Sequence, residues 1–195
     1  MEKDKPAFSE QESLLLIAGM INKAQNHFQN RGFLYLIWGW TIFACSLVHF
    51  VLLHWHIIAH PEMVWIITWL CLIWQIFYIA KKRQQEKVKT YTSEIIAQVW
   101  LVYVICCALC TFLITFNNAW PIMYPVFFVL YGIPTYLSGV IMKFTPLKLG
   151  ALFCWAISIV AAFVTTEYQL LLLTATMAVA WIIPGYLMQA KFKSA

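Results

Sequence analysis

The chain has 195 residues, of which 63% are hydrophobic and only 11% charged, with a net charge of +5. Ordinary globular domains are roughly 45–50% apolar and about 25% charged. A soluble domain of this size has no interior for so much apolar surface. The composition therefore excludes a cytosolic enzyme, a disordered chain and a secreted disulfide scaffold, and leaves an integral membrane protein.

Residues 1–32 read as a cytoplasmic segment. Glu2, Asp4, Glu10 and Glu12, with no small-residue cleavage site, argue against a cleavable signal peptide. Ser9 and Glu12 have capping-box spacing and predict a helix over 10–30, outside the bilayer. Its apolar residues, Leu14, Ile17, Ile21, Ala24 and Phe28, alternate steps of three and four and fall along one face. The opposite face carries Asn22, Lys23, Gln25, Asn26, Gln29 and Asn30. It is rich in amides, whereas a helix held by anionic lipid is usually more basic. Two readings stay open: a helix packed on the ends of the spans or lying at the interface, and a docking face for a second protein or a second copy. Arg31 and Gly32 predict a stop before the first span.

The run from Ser13 to Trp40, SLLLIAGMINKAQNHFQNRGFLYLIWGW, resembles the opening of uncharacterised multi-pass membrane proteins of Bacteroidetes bacteria. The resemblance implies a bacterial inner-membrane protein. It carries over no activity and no catalytic residues.

Six segments are long and apolar enough to cross: 33–55, 63–80, 95–116, 122–142, 149–166 and 168–190. Each holds 18 to 23 residues, against roughly 17–25 needed for a helical span. Barrel strands are excluded, because they are shorter and alternate in polarity. The expected fold is an all-α bundle of six transmembrane helices, 33–190, with a short tail at 191–195. On these spans all 13 Lys and Arg fall on one side, which makes both termini cytoplasmic. Trp38, Trp40, Trp74 and Trp100 lie near that side, and Trp55, Trp65 and Trp120 near the other, as an aromatic belt does.

Four of the five His lie between residues 49 and 60. If the first helix ran on to residue 60, His49, His56 and His60 would point within about 40° of one another, with Glu62 following. His, Glu and water suit zinc or copper, and loop histidines at an interface are the competing reading. Haem fits less well, since no other span offers a His. No resident cofactor is expected.

The run 81–89, KKRQQEKVK, is the densest basic cluster. It fixes topology and touches anionic lipid, and nucleic acid is not the expected partner. The six Cys all fall within spans, which predicts no disulfides. No Ser-His-Asp or Cys-His pair can be placed, and no phosphate-binding glycine loop is present.

The heptad YGIPTYL at 131–137 matches WIIPGYL at 181–187, sharing aromatic-x-Ile-Pro-x-Tyr-Leu. A weaker echo runs from Trp74 to Ile79, and the spans at 33–55 and 95–116 share Trp, Cys, Leu and Phe at equal spacing. This suggests three helical hairpins related about the membrane normal. Chance likeness between apolar segments is the competing explanation. Pro134 and Pro184 each remove a backbone donor inside a span and predict paired kinks or hinges. Ser158/Ala162, Thr174/Ala178 and Thr176/Ala180 are small enough to pack spans 5 and 6 closely.

Three functions compete. The first is a non-enzymatic membrane protein acting through partners, as a signalling or accessory subunit. The second is a transporter or channel for a neutral or apolar solute, suggested by the proline pair. The third is a metal- or haem-dependent membrane enzyme, suggested by the His cluster.

Overall fold

A computed structural model gives the fold and describes residues 10–85 and 91–191, with side chains from 32–81 and 92–191. The chain forms a helical bundle, with no strand among the described residues. The helices are α1 (Glu10–His54), α2 (Ile66–Gln85), α3 (Tyr91–Phe116), α4 (Met123–Ile141), α5 (Thr145–Ala161), α6 (Thr166–Met177) and α7 (Ile183–Lys191). Single 3-10 turns, Pro61–Trp65 and Trp120–Ile122, lead into α2 and α4. A π-turn, Ala178–Ile182, joins α6 to α7 in one continuous rod.

Five helical stretches are long and apolar enough to cross a membrane: Gly32–His54, Pro61–Lys81, Thr92–Phe116, Trp120–Ile141 and Thr166–Lys191. This is compatible with a multi-pass membrane protein. The sixth apolar helix, α5, has 17 residues and starts four residues earlier than its apolar run implies. Pro146 explains the shift: near a helix start its missing N–H costs nothing and its φ is already helical.

The largest departure from the sequence reading is α1. Arg31 and Gly32 were expected to end a separate helix, yet α1 runs 45 residues without a break. Gly32 serves a different need. A Cβ there would stand 3.1 Å from the Gly185 carbonyl oxygen and from Met188 Cβ, so the missing side chain lets α1 and α7 touch. The side chains of Leu14, Ile17, Ile21, Ala24 and Phe28 lie outside the described ones.

Helix seams elsewhere follow the same rule. Gly39 of α1 faces Ile182, and Gly185 of α7 faces Leu36. Gly132 and Gly139 of α4 admit Trp155, Leu147 and Lys148 of α5. Gly150 of α5 approaches the π-turn so closely that a Cβ would lie 2.7 Å from Ala180 Cα. Close backbone approach of this kind drives helix association in lipid, where apolar contact alone gives no preference. The α5–π-turn seam therefore rests on Gly150 and Ala180. Ser158 and Thr174, expected between spans 5 and 6, turn to α4 and α1 instead: Ser158 donates to the Pro125 carbonyl at 2.8 Å, and the Thr174 and Ser46 hydroxyls are 2.8 Å apart.

The hairpins α3–α4 and α5–α7 pack in sequence, α4 along α5 and the α6–α7 rod along α1. No comparable seam joins α2 to α3 among the described residues. None of the most apolar window of α2 is buried, and little of α3 is.

Candidate functional site

The two proline heptads meet inside the bundle. Tyr131 and Trp181, their leading aromatics, are both buried and pack edge to face with ring centroids 5.4 Å apart. The heptads also share a burial pattern: Pro134 and Pro184 face inward, while Ile133, Ile183, Leu137 and Leu187 face outward. Pro134 sits inside a continuous α4, whereas the turn preceding Pro184 widens to the π form. A proline leaves the carbonyl four residues back without its usual donor, and a π-turn is one way to absorb that. The sequence echo at Trp74 does not extend to structure: Trp74 is exposed and stacks on Tyr78 at 5.1 Å.

The space beside Tyr131 and Trp181 is filled by other rings. Tyr35 of α1 packs on Trp181 at 6.1 Å and on Trp100 at 5.8 Å. Trp100 of α3 packs on Trp181 at 5.7 Å, and Tyr103 lies 5.9 Å from Tyr131. Edge-to-face pairs at these separations each contribute roughly 0.5–1.5 kcal/mol beyond area burial. The Trp181 indole and the Thr135 hydroxyl are paired within this cluster. Trp181 Nε1 donates to Thr135 Oγ1 at 2.9 Å, and Thr135 Oγ1 donates to the Tyr131 carbonyl at 2.7 Å. One indole therefore pins α4 to the π-turn. Thr135 and Tyr35 were not singled out by sequence reasoning, and the matched heptads were the only signal pointing at the other two.

Trp residues read as belt anchors divide into two groups. Trp40, Trp55, Trp74 and Trp120 are exposed. Trp38 donates to Gln75 Oε1, Trp65 donates to His49 Nδ1 at 2.9 Å, and Trp100 joins the central cluster, so these three hold helices together.

The His–Glu set is spread out. His49 accepts the Trp65 N–H, His60 Nδ1 lies 2.9 Å from Glu62 Oε1, and His54 pairs with Glu167 at the start of α6. His56 adopts φ 48° in the turn that follows α1. The helical projection that aligned His49, His56 and His60 fails because α1 ends at His54. Among the described residues no three of His, Cys, Asp or Glu are grouped to hold a metal ion. The six Cys are free.

At the opposite end from Lys81, Lys143, Lys148 and Lys191, Gln169 closes the α5–α6 turn. Its Nε2 donates to the Ala161 and Val164 carbonyls, each at 2.9 Å, which satisfies acceptors at the end of α5.

No family model, no curated protein and no solved structure matches the chain.

Proposed function

We infer that this is a six-crossing inner-membrane protein that acts through a protein partner, as a signalling or accessory subunit, and not as an enzyme. One observation carries the reading. The α1 helix has 45 residues where its span takes 23, so 22 residues, from Glu10 to Arg31, extend beyond Gly32. At 1.5 Å per residue that extension is about 33 Å long.

The apolar residues of the extension are spaced as a two-helix seam requires, at alternating steps of three and four. On an unbroken helix Leu14 and Gly32 share one angular position, and Gly39 falls about 20° away. The stripe thus continues the line along which α1 meets α7. Since Gly32 faces Gly185 and Met188 while Gly39 faces Trp181 and Ile182, the two helices run antiparallel. Leu14–Ile21 then lie along the same line beyond the described end of α7 at Lys191. A partner helix that takes up this line extends a seam already built in the bundle.

The filled interior weighs against transport between α4 and the α6–α7 rod. A path there would have to displace Trp181, which is 1% exposed and hydrogen-bonded to Thr135. Six crossings follow if α5 also crosses. Its 17 residues meet the lower bound of roughly 17 for a span, and six crossings keep all Lys and Arg on one side. The positive-inside rule then makes that side, and both termini, cytoplasmic. The resemblance of the opening to Bacteroidetes membrane proteins supports an inner-membrane setting.

The test is site-specific cross-linking in cell membranes from a photoreactive residue at Gln25, beside the stripe. A discrete adduct, either a dimer of this chain or a complex with one other protein, is expected to disappear in Ile17→Lys/Ile21→Lys. Absence of any discrete adduct, or an adduct that survives the double substitution, contradicts the reading.

A further inference from the structure

We propose that His49 and Trp65 form a latch, closed at neutral pH and released by acid, that holds the His60 end of α2 on α1. The proposal rests on hydrogen-bond geometry and is independent of the partner reading of the α1 extension. The topology inferred above places the latch toward the outer side of the membrane.

The chemistry follows from what an indole can do. Trp65 ends the turn Pro61–Trp65 that leads into α2. Its Nε1 donates to His49 Nδ1 of α1 at 2.9 Å, and the two rings lie edge to face at 6.2 Å. An indole N–H only donates, so the imidazole nitrogen that faces it must be unprotonated. Neutral His49 therefore carries its proton on Nε2. A second proton goes to Nδ1, which then becomes a donor itself. Two N–H groups face each other, and the bond between α1 and the turn is lost.

The surroundings suit such a change. His49 is half-buried and lies five residues before α1 ends at His54, within reach of water at that end. Glu62 is exposed in the same turn as Trp65 and acts on His49 electrostatically. It bonds His60 at 2.9 Å and is the carboxylate toward which a protonated His49 is drawn. Glu167 of α6 is already engaged by His54. Cys45, one turn away on α1, and Tyr124 of α4, beside the indole, keep their protons between about pH 5 and pH 8. No Lys or Arg occurs between residues 32 and 80.

The bond matters because α2 has few others. Among the described residues the turn has one further polar tie to α1, the weak bond from Cys45 Sγ to the Val64 carbonyl at 3.7 Å. The ties of Trp38 to Gln75, Thr41 to Cys71 and Phe33 to Tyr78 lie toward the Lys81 end of α2. None of the most apolar window of α2 is buried, and apolar contact alone gives helices no preference for one another in lipid. Losing the Trp65–His49 bond frees the His60 end of α2 while the Lys81 end stays attached.

The experiment compares the full chain in nanodiscs at about pH 7.5 and about pH 5. Backbone hydrogen exchange over 61–68, corrected for its intrinsic pH dependence, reports the latch, and nitrogen NMR of labelled histidine reports the His49 proton. Protection of 61–68 in the parent should fall about tenfold or more in acid as His49 passes from the Nε2–H form to the imidazolium. His49→Asn puts an amide oxygen where Nδ1 stood, accepts the Trp65 N–H without titrating, and should stay protected at both pH values. Trp65→Phe should be poorly protected at both, which keeps the test decisive if His49→Asn fails to fold. His54→Gln should keep the parent's response. A His49 still neutral at about pH 5, unchanged protection in the parent, or an acid-induced loss in His49→Asn or Trp65→Phe equal to the parent's would each overturn the proposal.

Discussion

The glycine seams make a graded prediction. At Gly150 an alanine Cβ would lie 2.7 Å from Ala180 Cα, against 3.4–4 Å for ordinary contact. The blocking atom is backbone, so the two helices must part by about 1 Å. A gap of 0.5–1 Å forfeits roughly a quarter to a half of each contact's attraction, and overpacking of this kind costs about 1–3 kcal/mol. Replacing glycine by alanine within a helix returns about 1 kcal/mol. Because backbone cannot turn aside as a side chain can, the cost falls in the upper part of that range, about 2–3 kcal/mol, and Gly150→Ala should lose about 1–2 kcal/mol net. Gly32→Ala meets its neighbours at 3.1 Å, where a shift of a few tenths of an ångström suffices. There the propensity gain should offset the crowding to within about 0.5 kcal/mol. Equilibrium unfolding in mixed micelles, followed by circular dichroism over a range of SDS mole fraction, gives both values. A Gly150→Ala protein as stable as the parent, or a Gly32→Ala protein less stable than Gly150→Ala, refutes the reasoning.

Further outcomes are expected elsewhere in the bundle. Trp181→Phe keeps the ring stack but removes the N–H that the Thr135 hydroxyl oxygen accepts, and should cost about 1 kcal/mol in the same assay, while Trp181→Ala should cost about 3–5 kcal/mol by opening a cavity. An unchanged midpoint for Trp181→Ala would show that the centre is not packed as described. His49→Phe should lose about 1–3 kcal/mol because the Trp65 N–H loses its acceptor; if His49 instead binds zinc, the parent's unfolding midpoint will rise on adding the metal and that of His49→Phe will not. Deleting residues 10–30 should leave the unfolding midpoint of the remaining bundle within about 1 kcal/mol of the parent, since the extension lies outside the glycine seams. A collapse in stability would show that it is part of the core.

Much of the architecture is legible in the sequence because apolar run length is a strong signal in a chain this hydrophobic. The helical bundle and five of its long helices could be read that way. Pro146 moved α5 by one turn, a displacement that hydropathy cannot detect. Glycine was the main source of error. Beside Arg31 it reads as a terminator, but its actual use at Gly32 depends on Gly185, more than 150 residues away. The His set failed for a related reason. Angular projection assumes a helix, and α1 ends at His54, before His56 and His60. The heptads around Pro134 and Pro184 did lead to the bundle centre, since matched sequence placed matched aromatics face to edge. What filled the rest of that centre, Tyr35 and Trp100, was invisible in the sequence because both look like ordinary residues near span ends. Likewise the small residues Ser158 and Thr174 have the right size for the α5–α6 contact, and only tertiary geometry shows that they face other helices.

The continuity of α1 is the claim on which the partner surface depends, and one distance measures it. Spin labels placed at Lys23 and His54 in a cysteine-free background are separated by 31 residues, all within the single helix Glu10–His54. Double electron–electron resonance in nanodiscs should give a narrow distribution centred at about 46 Å. A break at Gly32 that lays the N-terminal segment along the membrane surface would shorten the separation to about 36 Å or less and broaden it, and that result would contradict the account.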